Sequence, residues 1–295
     1  MRLLAGESAR KLWLVPVTRV LRDYDREIAK VLSQALDDVD DAISDLIPKK
    51  NVSARVREAQ LRINRTALQQ LIQGIYNKNF QLIQDKQKTA AILAVTIGLS
   101  GDTDILEEMG LSEDQVQALG DGMITAASRN VGAVMKRQLE SKITLSKRVY
   151  KSRAYTEGLV ERAVNTGLAK GDSADDIAKR VKHMINPNTP GGVSYAAKRL
   201  GRTEIVNAFH AQAMEDCADK PWVDTVQWNL SKSHPTGSGC LCEKYARQGK
   251  FQPDDVPRKP HPQCLCYITP NVKPWDEVLA DIEDSRYDSW LEEHK

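Results

Sequence analysis

Four of the five cysteines fall in two close pairs, Cys240-Leu241-Cys242 and Cys264-Leu265-Cys266, with His261 beside the second pair and His234 upstream of the first. Thiolates and imidazoles suit a borderline-soft ion such as zinc, and structural zinc sites use four such donors in a tetrahedron. The pairs are about 20 residues apart, a loop that one ion could anchor at both ends. Within each pair the spacing is Cys-x-Cys and not the Cys-x-x-Cys of standard fingers, so both thiols of a pair need not reach the same ion. One cysteine from each pair with His234 and His261 is therefore a competing ligand set. A disulfide between the pairs is a second chemistry, favoured if the protein leaves the cytosol, and reduced packing cysteines are a third. Cys217, alone on a predicted helix, is expected to be a small buried apolar side chain.

A catalytic zinc would keep an open coordination position beside a general base. His-Glu-x-x-His, His-x-Glu and Pro-Cys-x-x-Cys are absent from the sequence, as are a P-loop, a Gly-x-Gly-x-x-Gly and a nucleophile elbow. Glu243 and Asp254-Asp255 are carboxylates of a kind common in polar loops. The expectation is a structural ion and no enzyme; the competing reading is a zinc-dependent nuclease or another DNA-processing enzyme.

The elements that must position these groups are read from periodicity. Apolar residues from Pro16 to Ile47 recur in steps of three and four, including Val17, Leu21, Tyr24, Ile28 and Val39, and predict a helix that Pro48 stops. A second helical pattern runs from Ser53 to about Asp85 and on through the apolar run Ala90 to Leu99, with a break expected at Ser100-Gly101-Asp102. That apolar run is about half of what a bilayer crossing needs, so a buried helix segment is expected and no membrane association. Ser112 with Gln115 has the spacing of a capping box, and helix should follow to Tyr155 with a break near Gly120 to Gly122. Gly171-Asp172-Ser173 with Asp176 predicts the start of a short helix through Ile177, Val181 and Met184, and Pro187 to Gly192 a loop. A helix over Tyr195 to Cys217 and a strand at 223–230, with Val226, Trp228 and Leu230 on one face, complete the pattern.

Of the 295 residues, 42 are Lys or Arg and 40 are Asp or Glu, a net charge of +2 that gives no whole-molecule attraction to DNA or an acidic membrane. Local patches carry the charge instead. Lys136, Arg137, Lys142, Lys147, Arg148, Lys151 and Arg153, against the single acid Glu140, would form a basic helix face that meets DNA phosphates, an acidic protein partner or only solvent. The C-terminus has the opposite sign, with Asp276, Glu277, Asp281 and Glu283 spaced among Trp275, Leu279, Ile282 and Trp290. It predicts an acidic amphipathic tail helix that folds back on the basic face or docks on a neighbouring subunit. The N-terminus has no long apolar core before a small-residue cleavage site, so synthesis inside the cell, with reduced cysteines, is expected.

Several pieces of the chain from about residue 156 onward occur in a telling order. They are Thr166-Gly167-Leu168-Ala169-Lys170-Gly171-Asp172-Ser173 with Ile177 and Ala178; Arg202-Thr203-Glu204 with Asn207; Trp228-Asn229-Leu230-Ser231 with His234-Pro235; and Pro260-His261-Pro262-Gln263-Cys264-Leu265-Cys266. Over about residues 156–270 the chain resembles the C-terminal domain of Mu-F-like phage minor head proteins, also called head morphogenesis proteins. One branch of that family carries Asp-x-Cys-Asp where this chain has Cys240-Leu241-Cys242-Glu243, so Cys242 matches the family cysteine and Cys240 replaces an acid. The resemblance implies a minor capsid protein of the virion interior, made in the host bacterial cytoplasm. It would be associated with the portal protein, and in contact with capsid protein and genomic DNA, during head assembly and DNA packaging or ejection. Arg202 and Glu204 are expected to be structural ion-pair or capping residues. The expected architecture is mainly α: a helical arm or bundle over 1–155, a small α+β head-morphogenesis domain with a Cys/His-clamped loop over 156–270, and an acidic tail helix over 271–295.

Overall fold

The computed structural model of the chain describes residues 7–44, 54–139, 144–170, 172, 174–186, 189, 193–234, 237 and 239–294. Among them are nine α-helices and three β-strands, so the fold is mainly α, with a long N-terminal helical region and a small antiparallel sheet in the C-terminal part. The helices are α1 (Glu7–Ser44), α2 (Ala54–Glu108), α3 (Glu113–Gln138), α4 (Leu145–Lys170), α5 (Ala174–Ile185), α6 (Val193–Asp219), α7 (Leu241–Gln248), α8 (Trp275–Glu283) and α9 (Asp288–His294). The strands are β1 (Val223–Asn229), β2 (Lys250–Phe251) and β3 (Tyr267–Val272).

Three expected helix boundaries are corrected. The first helix starts at Glu7 and carries Pro16 inside it. Proline removes one backbone donor, but Trp13, Leu14 and Val17 on either side are buried, and Thr18 Oγ1 donates to the Val15 carbonyl at 2.7 Å. The second helix does not break at Ser100-Gly101-Asp102. Ser100 Oγ turns back to the Ile97 carbonyl (2.7 Å), and Asp102 is buried in an ion cluster that holds the turn helical. The third helix runs unbroken through Gly120 and Gly122 but ends at Gln138, short of Tyr155. There the Arg258 guanidinium donates to the Leu139 carbonyl at 2.8 Å, a cationic cap on the negative end of α3. The capping box at its start is as expected: Ser112 Oγ accepts from Gln115 N while Gln115 Oε1 accepts from Ser112 N. The stop at Pro48, the serine at the start of α5 and the Pro187–Gly192 loop lie outside the described residues.

Compactness divides the chain into two units. The first draws on Met1–Leu21, Asp85–Lys142 and Thr203–Lys295, and the second on Arg22–Gln84 and Ile143–Arg202. Boundaries at 155/156 and 270/271 are not where these units meet; Thr156 is buried inside α4. In the second unit Tyr24, Ile28, Leu32, Ile72 and Tyr76 are among the fully buried large side chains. The Tyr24 hydroxyl lies 2.7 Å from Asn79 Oδ1 and 2.9 Å from the Ala197 carbonyl. Arg202 is an ion-pair residue as expected, held by Asp25 through Nη2 at 2.6 Å and Nε at 3.1 Å.

In the first unit the apolar run of α2 is core. Ala91 and Val95 pack with Ala127, and Leu99, Met123, Ile124 and Val131 close over them. The stretch Thr66–Glu108 is long and apolar enough to cross a membrane by length and composition, and half of its most apolar window is buried. Glu204 is buried with its carboxylate 3.5 Å from Gln87 Nε2. A second polar cluster, with no counterpart in the expectations, is also buried: Lys220 Nζ is 2.6 Å from Asp102 Oδ2 and 2.6 Å from Asp216 Oδ2, and Trp222 Nε1 donates to Asp102 Oδ1 at 2.9 Å.

Strand β1 forms where it was expected and is central in the order β2-β1-β3, antiparallel to both neighbours. Val226 and Trp228 are buried as the alternation required, but Leu230 lies past the strand end and is 39% exposed. The acidic tail is two short helices, not one. Ser285, at φ 57°, follows the end of α8, and α9 packs on α3, with Trp290 stacked edge-on to Trp222 and its indole N–H donated to Asp219.

Candidate metal centre

The register of the sheet places the cysteine and histidine segments together. Asn229 pairs with Tyr267, so the residues just after β1 and just before β3 meet at one end of the sheet. Cys266, the residue before Tyr267, therefore sits beside Ser231, whose backbone N–H donates to its sulfur. His234 follows in a turn closed by its own N–H on the Ser231 carbonyl at 3.0 Å. Helix α7 brings the first cysteine pair from the other side: Cys240 is its N-cap and Cys242 lies in its first turn, buried. It packs against β1, with Tyr245 edge-on to Trp228 and to Phe251 of β2. Gly249 ends α7 at φ 79°, a conformation that glycine adopts without strain, and its carbonyl accepts from Trp228 N at 3.2 Å. The second pair is turned inward by Gln263, whose φ of 57° kinks the loop and whose N–H donates to Thr203 Oγ1 at 3.2 Å.

The result is a set of donors that could hold a metal ion. His234, Cys240, Cys242 and His261 have ligand atoms within 4.8 Å of one another, and so do Cys242, Cys264 and Cys266. Cys242 belongs to both groups. Its sulfur is 3.4 Å from Cys264 Sγ and 3.5 Å from His261 Nε2, close to the ~3.5–3.8 Å edge of a tetrahedron built on zinc–sulfur bonds of about 2.3 Å and zinc–nitrogen bonds of about 2.0 Å. All six expected ligands thus lie in one place, and Cys-x-Cys spacing does not keep Cys240 from Cys242 or Cys264 from Cys266. None of the five cysteines is in a disulfide, and Cys217 is buried in α6 as expected.

His261 has the tautomer arrangement that a ligand needs. His261 Nδ1 is 3.0 Å from the Pro262 carbonyl, which fixes the proton there and leaves the Nε2 lone pair facing Cys242. His234 turns Nδ1 towards Cys266 Sγ at 3.9 Å while its Nε2 faces Glu243 Oε1 at 3.6 Å. Among the thiols, the hydrogen bond from Cys264 pulls Cys266 down to about 5, the same bond pushes Cys264 up, and burial pushes Cys242 up to about 12. A soft dication bound among these thiols would take the place of their protons.

Two residues beside the donors carry no signal in the spacing of the sequence. Lys259, half-buried and with its ammonium disfavoured by desolvation, donates from Nζ to the Cys266 carbonyl and lies 5.8 Å from the centroid of the Trp228 ring. His210, on α6, is pushed down to about 3 by burial, so it is neutral; its Nε2 lies 3.0 Å from the Pro257 carbonyl and its ring meets Trp228 edge-on. Both fix the loop that delivers His261 and Cys264.

The expected basic face is divided. Lys136 and Arg137 are exposed on α3, where Arg137 pairs with Glu215, and Lys147, Arg148, Lys151 and Arg153 are on α4, because the chain leaves the helix after Gln138. Lys142 lies outside the described residues. On α4 Lys147 and Lys151 are exposed, whereas Arg153 is half-buried, paired with Glu157 at 3.4 Å and stacked 4.8 Å over the Tyr150 ring. No protein family, curated protein or solved structure matches this chain in sequence or in fold.

Proposed function

We propose that this chain is a minor capsid protein of a phage head, internal to the virion at the portal vertex, and that it acts in head assembly and in DNA packaging or ejection. The observation that carries the reading is the convergence at one end of the sheet of two donor groups that share Cys242, one of His234, Cys240, Cys242 and His261 and one of Cys242, Cys264 and Cys266. These residues come from the separate segments that resemble the Mu-F-like head morphogenesis domain. The metal in this reading is zinc, chosen by the thiolate and imidazole donors, and its role is structural. It would clamp the connection between β1 and β3, tying α7 to the loop that follows β2. Glu243, the carboxylate beside the cluster, lies 3.6 Å from Nε2 of His234.

In the same reading the exposed Lys147 and Lys151 of α4 meet the portal or the genomic DNA. Mass spectrometry of purified proheads and virions should find the protein in both, and its absence from both refutes the proposal. Purified protein should bind the portal protein or DNA more weakly after Lys147→Glu with Lys151→Glu, with a DNA affinity that falls steeply as salt rises. Cleavage of DNA that Cys242→Ser abolishes would support a zinc-dependent nuclease instead.

A further inference from the structure

A groove of about 570 Å³ runs between α4 and α5 in the second unit. Its floor is apolar, made by Leu159, Ala163 and Met184, and its rim carries the exposed cations Arg162, Lys179 and Arg180. Arg180 also reaches Asp172 at 2.7 Å, and Lys179 lies 3.8 Å from Asp176, so the rim is partly neutralised at one end and least so at Arg162. Leu159, Arg162 and Ala163 follow steps of three and four, and the same stripe of α4 continues N-terminally to Tyr155, 59% exposed. An apolar floor with a basic rim fits an amphipathic helix with acids along its apolar edge.

The chain itself carries such a helix. On α8 the side towards its own unit is Val278 and Asp281, both buried, with Asp281 held by Lys273 and Arg286. The other side presents Trp275, 37% exposed, with the half-exposed Leu279 one turn on, and Asp276 and Glu283 beside them. Trp275 to Glu283 spans ~12 Å at 1.5 Å per residue, against ~10 Å for Leu159 to Thr166 along the groove. Sign, stripe and length match.

We propose that α8 of one copy docks in the α4–α5 groove of a second copy, so that the protein associates head to tail with itself. Trp275 and Leu279 cover the floor while Asp276 and Glu283 face Arg162 and Lys179. The two surfaces are different patches, so the contact is heterologous and repeats into a ring or an open chain instead of stopping at a dimer. A single nine-residue helix makes a small interface, so assembly is concentration-dependent and weakened by salt.

Sedimentation velocity of the full-length protein, free of DNA and portal, tests this. Wild type should pass from monomer to larger species as concentration rises at low salt. Arg162→Glu with Lys179→Glu should weaken association at least about tenfold, and so should Asp276→Lys with Glu283→Lys, because like charges then face each other. All four positions are exposed, and both variants should keep the wild-type circular dichroism. Mixing the two variants restores both complementary pairings and should restore assembly, which a contact within one chain would not do. A wild type that stays monomeric throughout, or a mixture that fails to reassemble, overturns the proposal. Neither result bears on whether the protein resides in a phage head.

Discussion

Gly98 and Gly101 are three residues apart in the same helix, and alanine at the two positions should have opposite effects. In an open helix position Gly→Ala stabilises by about 1 kcal/mol, because alanine has less backbone freedom to lose. Gly101 meets that condition, since an added Cβ finds nothing within 4 Å. At Gly98 the same atom would overlap Asp216 Oδ2 and stand 3.0 Å from Lys220 Nζ. These are not the loose ends of surface side chains: Lys220 and Asp216 are both buried, and the ammonium is held by two carboxylates. Overpacking costs about 1–3 kcal/mol, and pulling a buried carboxylate off its partner costs about 3–5 kcal/mol when the pair is broken outright. Taking a cost of about 3 kcal/mol against a propensity gain of about 1 kcal/mol, Gly98→Ala should destabilise by about 2 kcal/mol. Urea unfolding followed by tryptophan fluorescence, with Trp222 bonded to Asp102, reads the affected region. In an Asp216→Ala background the overlap is gone, and Gly98→Ala should turn neutral or stabilising, a coupling of about 2–3 kcal/mol. Gly98→Ala that stabilises as Gly101→Ala does would refute the packing argument, and a missing coupling would refute the assignment to Asp216.

The same cluster gives a pH dependence: burial foremost, and Asp102 beside it, push Asp216 up to about 6 despite Lys220. Its folded value is thus above that of the unfolded chain, so its contribution is complete below about pH 4 and is lost as pH rises through about 6. The difference in unfolding free energy between wild type and Asp216→Asn, measured from pH 4 to pH 7, should show it; a flat difference would count against it. At the metal centre, elemental analysis should find roughly one zinc per chain, the content of one four-ligand site. Cys242→Ser should lose the metal and destabilise the sheet region more than Cys217→Ala does, because Cys242 stands in both donor groups. Fully folded, metal-free wild type would reject the zinc assignment.

The mainly helical fold, the capping box at Ser112 and the strand at 223 were readable because each rests on local chemistry: an i to i+3 hydrogen-bond pair, or alternation over a few residues. So was the gathering of six Cys and His donors, since soft ligands this dense have few other uses. What was not readable depends on partners distant in the sequence. Ser100-Gly101-Asp102 has the composition of a turn, yet Asp102 is held from 118 residues away by Lys220 and stays helical. Gly120 and Gly122 look like a break, but buried Leu119 and Ala127 on the same helix keep it packed. Strand β3 contains Pro270, which hides it from a propensity reading. As an edge strand it needs fewer backbone donors. Lys259 and His210 support the donor loop through backbone carbonyls, and such contacts leave no spacing pattern at all.

The ion cluster joins residues of one compact unit that are far apart in the chain, and this decides how the protein can be cut. A fragment starting near residue 156 would retain the whole motif-bearing segment but not α2, and with it would go Asp102, Ala91 and Val95. It would keep Lys220 with one carboxylate where there were two, and the tail with part of its support missing, since α9 rests on α3. A segment chosen by its motifs alone therefore leaves out side chains that its compact unit contains, and a gene fusion or truncation designed on it would cut through that unit.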